Sequence, residues 1–126
     1  MDNEKLTINI PGLNVESGLG LCDGDVPIYL NSLRLCVSNL PASLEKMRIV
    51  SAETLRDYSV LVHGAKGISA YIGAEDARKM AKDLEAKAKS GDLAGVLANN
   101  DAFIKHMGDL IVGIRNWLEK NNTLGV

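Results

Sequence analysis

Four long amphipathic segments predict an all-α protein, an antiparallel up-down-up-down four-helix bundle preceded by a short N-terminal helix. Three observations carry this expectation. Apolar residues recur at three- and four-residue spacings through most of the chain, the period of a helix with one buried face. Short turns containing Gly or Asp separate the segments, and short connections make successive helices antiparallel neighbours. The apolar inventory is aliphatic, with 4% aromatic residues in 126, which suits helix-on-helix packing better than a β-sandwich. The length is that of one domain with a single core.

Residues 1–11 show no period and are expected to form an extended or partly disordered lead-in. The bundle is assigned to residues 12–120 and a C-terminal tail to residues 121–126. Val15 to Cys22 makes a short helix closing one end, with Gly18 and Gly20 inside it. The first long helix follows Asp23-Gly24-Asp25, where an aspartate is available as cap, and carries the stripe Tyr29, Leu33, Cys36, Val37, Leu40. Pro41 removes one backbone donor. A kinked continuation to about Arg48 is expected, with a break at Pro41 as the alternative.

The second long helix is expected from about Ala52 to Ile72, starting near Ser51 and ending at Gly73. The third spans roughly Ala74 to Ser90. Glu75 and Asp76 in its first turn and Lys87 and Lys89 in its last match the helix dipole. Its buried line is Ala77, Met80, Ala81, Leu84 and Ala88, and the alanines imply close approach of a neighbour. Gly91 ends it and Asp92 caps the fourth helix, Leu93 to Lys120, whose stripe is Phe103, Met107, Leu110, Ile114 and Trp117.

Composition narrows the function. The formal net charge is −2 and the pI about 5.6, without the Lys/Arg block or basic face that nucleic-acid binding requires. A helix-turn-helix DNA binder is disfavoured for the same reason. Met1-Asp2-Asn3-Glu4 is acidic and polar, unlike a secretory leader, and nowhere do 18 apolar residues run together. A cytoplasmic monomer is expected, without direct membrane binding, either free-standing or as the cytosolic piece of a larger sensor. Cys22 and Cys36 form no C-x-x-C pair, and His63 and His106 no H-E-x-x-H motif, so no metal site is expected. Two reduced cysteines in or beside the core are the simpler reading.

The segment His63-Gly64-Ala65-Lys66-Gly67-Ile68-Ser69-Ala70 is unusual for a helix. Each interior glycine costs about 1 kcal/mol relative to alanine, so Gly64 and Gly67 need a reason. Gly67 lies one turn from His63 on the same face, where a missing side chain lets another macromolecule approach the imidazole. At 100° per residue, Leu61, Ala65, Ile68 and Ile72 fall within about 40° of the direction opposite His63, with Tyr58 at their edge. Arg56, Ser59, Lys66, Gly67 and Ala70 fall within roughly 60° of His63 itself. The histidine therefore points to solvent among small or cationic neighbours. An ordinary histidine titrates near about 6.5, so a neutral nucleophilic form is abundant near pH 7. Lys66 disfavours a second positive charge beside it and would stabilise a phosphoryl group of charge about −2 once attached. His106, on the flank of the fourth helix's stripe, has no such surroundings and reads as structural.

The pattern His-x-x-Lys-Gly-x-Ser-x-x-x-Gly-Ala, from His63 to Ala74, resembles the signature of histidine phosphotransfer (HPt) domains of bacterial phosphorelays. Gly12-Leu13 through Gly24-Asp25, then Ile28-Tyr29-Leu30, are similar to the family's lead-in and first long helix. Leu84-Glu85 and Ser90-Gly91-Asp92 resemble the end of its third helix and the turn after it. Ala65 departs from the larger apolar residue usual there, a change that bears on packing. The resemblance implies a phosphoryl carrier and not a self-sufficient enzyme. His63 would accept the group on Nε2 from a receiver-domain aspartate and pass it to another. The Mg²⁺ would sit on the partner receiver, and the partners would be response-regulator receiver domains and a hybrid sensor histidine kinase.

The alternative is a helical interaction module without phosphoryl chemistry, in which His63 is incidental and the glycines serve tight helix packing. Ser69, toward the core flank, is expected to bond back to a helix carbonyl. Ile28 and Leu35 lie about 100° or more from Tyr29 on the first long helix. Either the short N-terminal helix covers them through Val15 and Leu19, or they form an apolar docking patch beside His63 which, with Arg56, Ser59, Gly67 and Ala70, makes up the receiver docking face.

Overall fold

The computed structural model describes residues 8–121, and these form helices α1 (Val15–Leu21), α2 (Val26–Met47), α3 (Leu55–Ile72), α4 (Glu75–Lys89) and α5 (Leu93–Lys120). No strand occurs among the described residues. Asp25 and Asp92 start α2 and α5 in the same way. Their carboxylates accept from the backbone N–H of Ile28 at 3.1 Å and of Gly95 at 2.9 Å, satisfying donors that the first turn leaves unpaired. The helix α2 runs through Pro41 without a break, and its buried residues extend the expected stripe to Leu44 and Met47 and add Leu30.

Two expected boundaries shift. The helix α3 begins at Leu55, not near Ala52. The Thr54 hydroxyl instead accepts from the Ser51 N–H at 2.9 Å and the Thr54 N–H donates to the Ser51 carbonyl, so a turn takes the place of the first helical residues. The lead-in also contributes to the core. Ile10 is buried and Ile8 half-buried against the same cluster, while residues 1–7 and 122–126 lie outside the described residues.

Each long helix packs mainly against two of the others: α2 against α3 and α5, and α4 against α3 and α5. One continuous apolar cluster links all of them. The α3–α4 pair is the closest, as the alanines predicted, with Ala65 and Ser69 of α3 and Ala77, Ala81 and Ala88 of α4 all buried. Asn100 is a buried polar residue with both ends of its amide satisfied. Its Nδ2 donates to the Met47 carbonyl at 2.7 Å and its Oδ1 accepts from the Tyr58 hydroxyl at 2.8 Å, so α5 is pinned to the end of α2 and to α3. Burial pushes the Tyr58 phenol up. Cys36 is fully buried, which raises its thiol to about 12; Cys22 is half-buried.

The short helix α1 closes the end of the fold where α3 stops. Gly73 ends α3 in the left-handed region at φ 80°, and its carbonyl accepts from the Asn14 N–H at 2.8 Å. A Cβ on Gly73 would run into the Asn14 carbonyl, and one on Gly18 into the Tyr29 ring. Tyr29 in turn donates to the Ile72 carbonyl at 2.8 Å, capping the last turn of α3 from inside the core. These contacts fix the helix that carries His63.

Candidate functional site

The buried face of α3 is Leu55, Tyr58, Val62, Ala65, Ser69 and Ile72. Leu61 and Ile68, expected in the centre of the core, are only half-buried. The face is turned by roughly 50° from the expected direction at 100° per residue, with Val62 and Ser69 fully buried where Leu61 and Ile68 were expected. Ser69 is nonetheless satisfied there, its hydroxyl donating to the Ala65 carbonyl at 2.8 Å. This rotation keeps His63 outside, with 66% of its side chain exposed, while bringing it over the edge of α4.

At that edge stands Glu85, whose role the sequence did not disclose. Its side chain is only 6% exposed, and charged residues are seldom so buried unless paired. One carboxylate oxygen lies 2.7 Å from His63 Nδ1 and 3.0 Å from Lys89 Nζ. The other lies 2.6 Å from Lys66 Nζ. Hydrogen bonding from Lys66 first, then from Lys89 and His63, outweighs the opposing effect of burial and holds the carboxyl at about 2. Lys66 thus does not stand alone beside the imidazole. It is half-buried at 30% exposure and bonded to the carboxylate that also holds His63.

A signal for Glu85 existed on α4. It lies four residues after Ala81 and three before Ala88, on the flank of the small-residue face that packs against α3. Met80, expected in the buried line, is half-buried on the opposite flank beside Asp83, Asn99 and Ala102. Among so many charged residues on α4, nothing in composition alone marked Glu85.

The glycines beside His63 are open. A Cβ on Gly64 or on Gly67 would meet nothing within 4 Å, so tight helix packing does not explain either. Of the glycines in this stretch, Gly73 is the one that packing requires. Ala70 and Ser59 are half-buried and Arg56 is exposed, all near the imidazole on the same helical face. The Ser59 hydroxyl is occupied by the Arg56 carbonyl at 2.8 Å.

The open strip continues toward α2. Val60 and Tyr71 of α3 are exposed, as are Ile28 at 53% and Leu35 at 50%. Leu35 and Ser32 line a shallow cavity with Ile68, Tyr71 and Ile72, so Leu35 borders α3. The helix α1 therefore does not cover Ile28 or Leu35. Its Val15 and Leu19 pack against the main core cluster instead. His63, Gly67 and Tyr71 follow one another at four-residue steps, one row on the helix surface, and so lead from the imidazole to the Leu35 patch.

Among the described residues no group of three or more His, Cys, Asp or Glu is placed to hold a metal ion, and no helix is long and apolar enough to cross a membrane. His106 is half-buried on α5, as its place on the flank of the stripe predicted. The chemical content of the site is an exposed imidazole with one nitrogen hydrogen-bonded to a buried carboxylate, two lysines on that carboxylate, and an adjoining surface cleared of side chains. Compared with family models, curated proteins and solved structures, the chain matches none of them.

Proposed function

We propose that this protein is a phosphorelay intermediate of the histidine phosphotransfer type. It accepts a phosphoryl group on His63 from the aspartate of a receiver domain and passes it to the aspartate of another. The observation that carries this reading is an exposed imidazole held by a buried carboxylate, beside Lys66 and Lys89, on a surface where Gly64 and Gly67 leave open space. A structural histidine needs neither the clearance nor the cations. The cyclic order of contacts from α2 through α3 and α4 to α5 and back to α2 supports an up-down-up-down four-helix bundle, the architecture that the sequence resemblance implies.

In this reading the chain supplies the nucleophile and the charge around it. The receiver supplies its aspartate and the Mg²⁺ that activates phosphoryl transfer, and a hybrid sensor histidine kinase stands upstream. The strip of Val60, Gly64, Gly67, Ile68 and Tyr71 with Ile28 and Leu35 is the docking face, a transient apolar contact rimmed by polar groups. The protein acts in the cytoplasm as a monomer. An interaction module without chemistry would also use the exposed apolar residues, but it has no use for an exposed imidazole with one nitrogen bonded to a carboxylate and the surface beside it clear.

Incubation with receiver domains charged by a small acyl phosphate in the presence of Mg²⁺ tests the proposal. The expected product is a label on this chain that is labile in acid and stable in base, as a phosphorus–nitrogen bond requires. Stable complex formation without any transferred label would instead favour the interaction module.

A further inference from the structure

We propose that the α2–α5 side of the fold reversibly binds a second copy of this chain, α5 packing antiparallel on the other copy's α5 about a two-fold axis at Gly108. The inference is independent of the carrier reading, in which one chain suffices for transfer.

The outward side of α5 carries features that transfer does not employ. At 100° per residue, Leu97, Asp101, Ile104, Val112 and Arg115 all fall within about 40° of Gly108. Leu97 and Val112, at 53% and 54% exposure, are the large apolar residues of α5 left in water. Beside them Pro41, Leu44, Ile104 and Ile111 floor a groove of about 250 Å³ between α2 and α5. Gly108 lines the same groove, and a Cβ there would meet nothing within 4 Å. A glycine inside a helix costs stability. No packing within the chain requires this one, whereas the close approach of another helix does.

The charges select the occupant. Glu45 and Arg48 on α2 pair with each other at 3.1 Å, as do Lys105 and Asp109 on α5 at 3.0 Å. Asp101 and Arg115 are exposed and form no ion pair among the described residues. They stand seven residues on either side of Gly108, each about 10 Å from it along the helix, and are of opposite sign. In an isologous contact, residue i of one copy meets residue j of the other and the reverse. With Gly108 on the axis, Asp101 meets Arg115 twice. Ile104 and Val112, each four residues from the axis, meet in the same way, and Leu97 falls opposite Glu119 at either rim. Moving the axis by two residues would set Asp101 against Glu119 and Lys105 against Arg115, like charge on like, which costs affinity. A foreign helix would have to reproduce this order of apolar and charged residues; a second copy already carries it.

One helix on another covers less than the roughly 800 Å² per partner of a stable interface, so the two copies exchange. His63 lies on α3 and Glu85 on α4, and Leu35 borders α3. Pairing through α5 therefore leaves each imidazole and its docking strip open.

Sedimentation equilibrium of the full chain between about 10 µM and about 1 mM tests the pairing over the range of a weak complex. The wild type is expected to rise from 13.5 kDa toward twice that mass. Asp101→Arg and Arg115→Asp, each checked for its fold by circular dichroism, set like charges against one another and weaken pairing about tenfold or more. An equimolar mixture of the two variants restores it, because a chain with arginine at both positions then faces one with aspartate at both. A wild type that stays at 13.5 kDa throughout overturns the proposal. So does pairing that either variant leaves unchanged, or a mixture that does not recover, since both place the contact elsewhere.

Discussion

At the scale of single residues, the question is what one buried carboxylate does for one exposed imidazole. Glu85 is held at about 2 against an ordinary 4.5, so its folded-state value is depressed. The stability it contributes is therefore complete above about pH 4.5 and is lost as the pH falls through about 2. Acid titration followed by helical circular dichroism is expected to show this loss in the wild type and a flatter profile over that window in Glu85→Gln. An identical profile in the two would mean that the carboxylate is not bonded as described. The outward direction of His63 was legible from the sequence, because four apolar positions of α3 lie opposite it. Glu85 was only faintly legible: its place on the flank of the alanine face of α4 can be read, but its partner is 22 residues away. The placement of Lys66 was half legible. Its face was right, but its bond is to Glu85.

At the scale of the element, α3 is a helix whose composition favours access over its own stability. Gly64 and Gly67 have no steric neighbour that a Cβ would disturb. Gly64→Ala is therefore expected to stabilise the fold by about 1 kcal/mol, a rise of a few degrees in Tm. Gly67→Gln should also keep or raise the Tm, yet slow transfer from a charged receiver by filling the face next to His63. Thermal melts and transfer rates on the same two proteins check both statements. A Tm that falls in either variant would return these glycines to a packing role. Elsewhere the element boundaries followed local chemistry that sequence can show. Asp25 and Asp92 capped helices as expected, and Gly73 ended α3. The late start of α3 depended on the Thr54 hydroxyl turning back to Ser51, a choice between two equally available local bonds. The rotation of its buried face depended on the helices packed around it, which no pattern within α3 records.

At the scale of the whole molecule, one apolar cluster holds all the helices, and the surface hydrophobics Ile28, Leu35, Val60 and Tyr71 remain outside it. Leu35→Asp should consequently leave the Tm nearly unchanged and weaken receiver binding, measured by calorimetry or transfer kinetics. A large loss of thermal stability would make Leu35 part of the core. The helical class and the order of elements were legible because each long segment carries its own period. The burial of Ile10 was not, since a single apolar residue in an aperiodic lead-in has no phase to read. The most direct measurement of the central claim is the label taken up from a charged receiver by the wild type, His63→Gln and His106→Gln under identical conditions. His63→Gln should remain folded, because its side chain faces water, and take up no acid-labile label, while His106→Gln should take up the wild-type amount. Full labelling of His63→Gln, with the label lost in His106→Gln, would contradict the assignment of His63 as the phosphoryl acceptor.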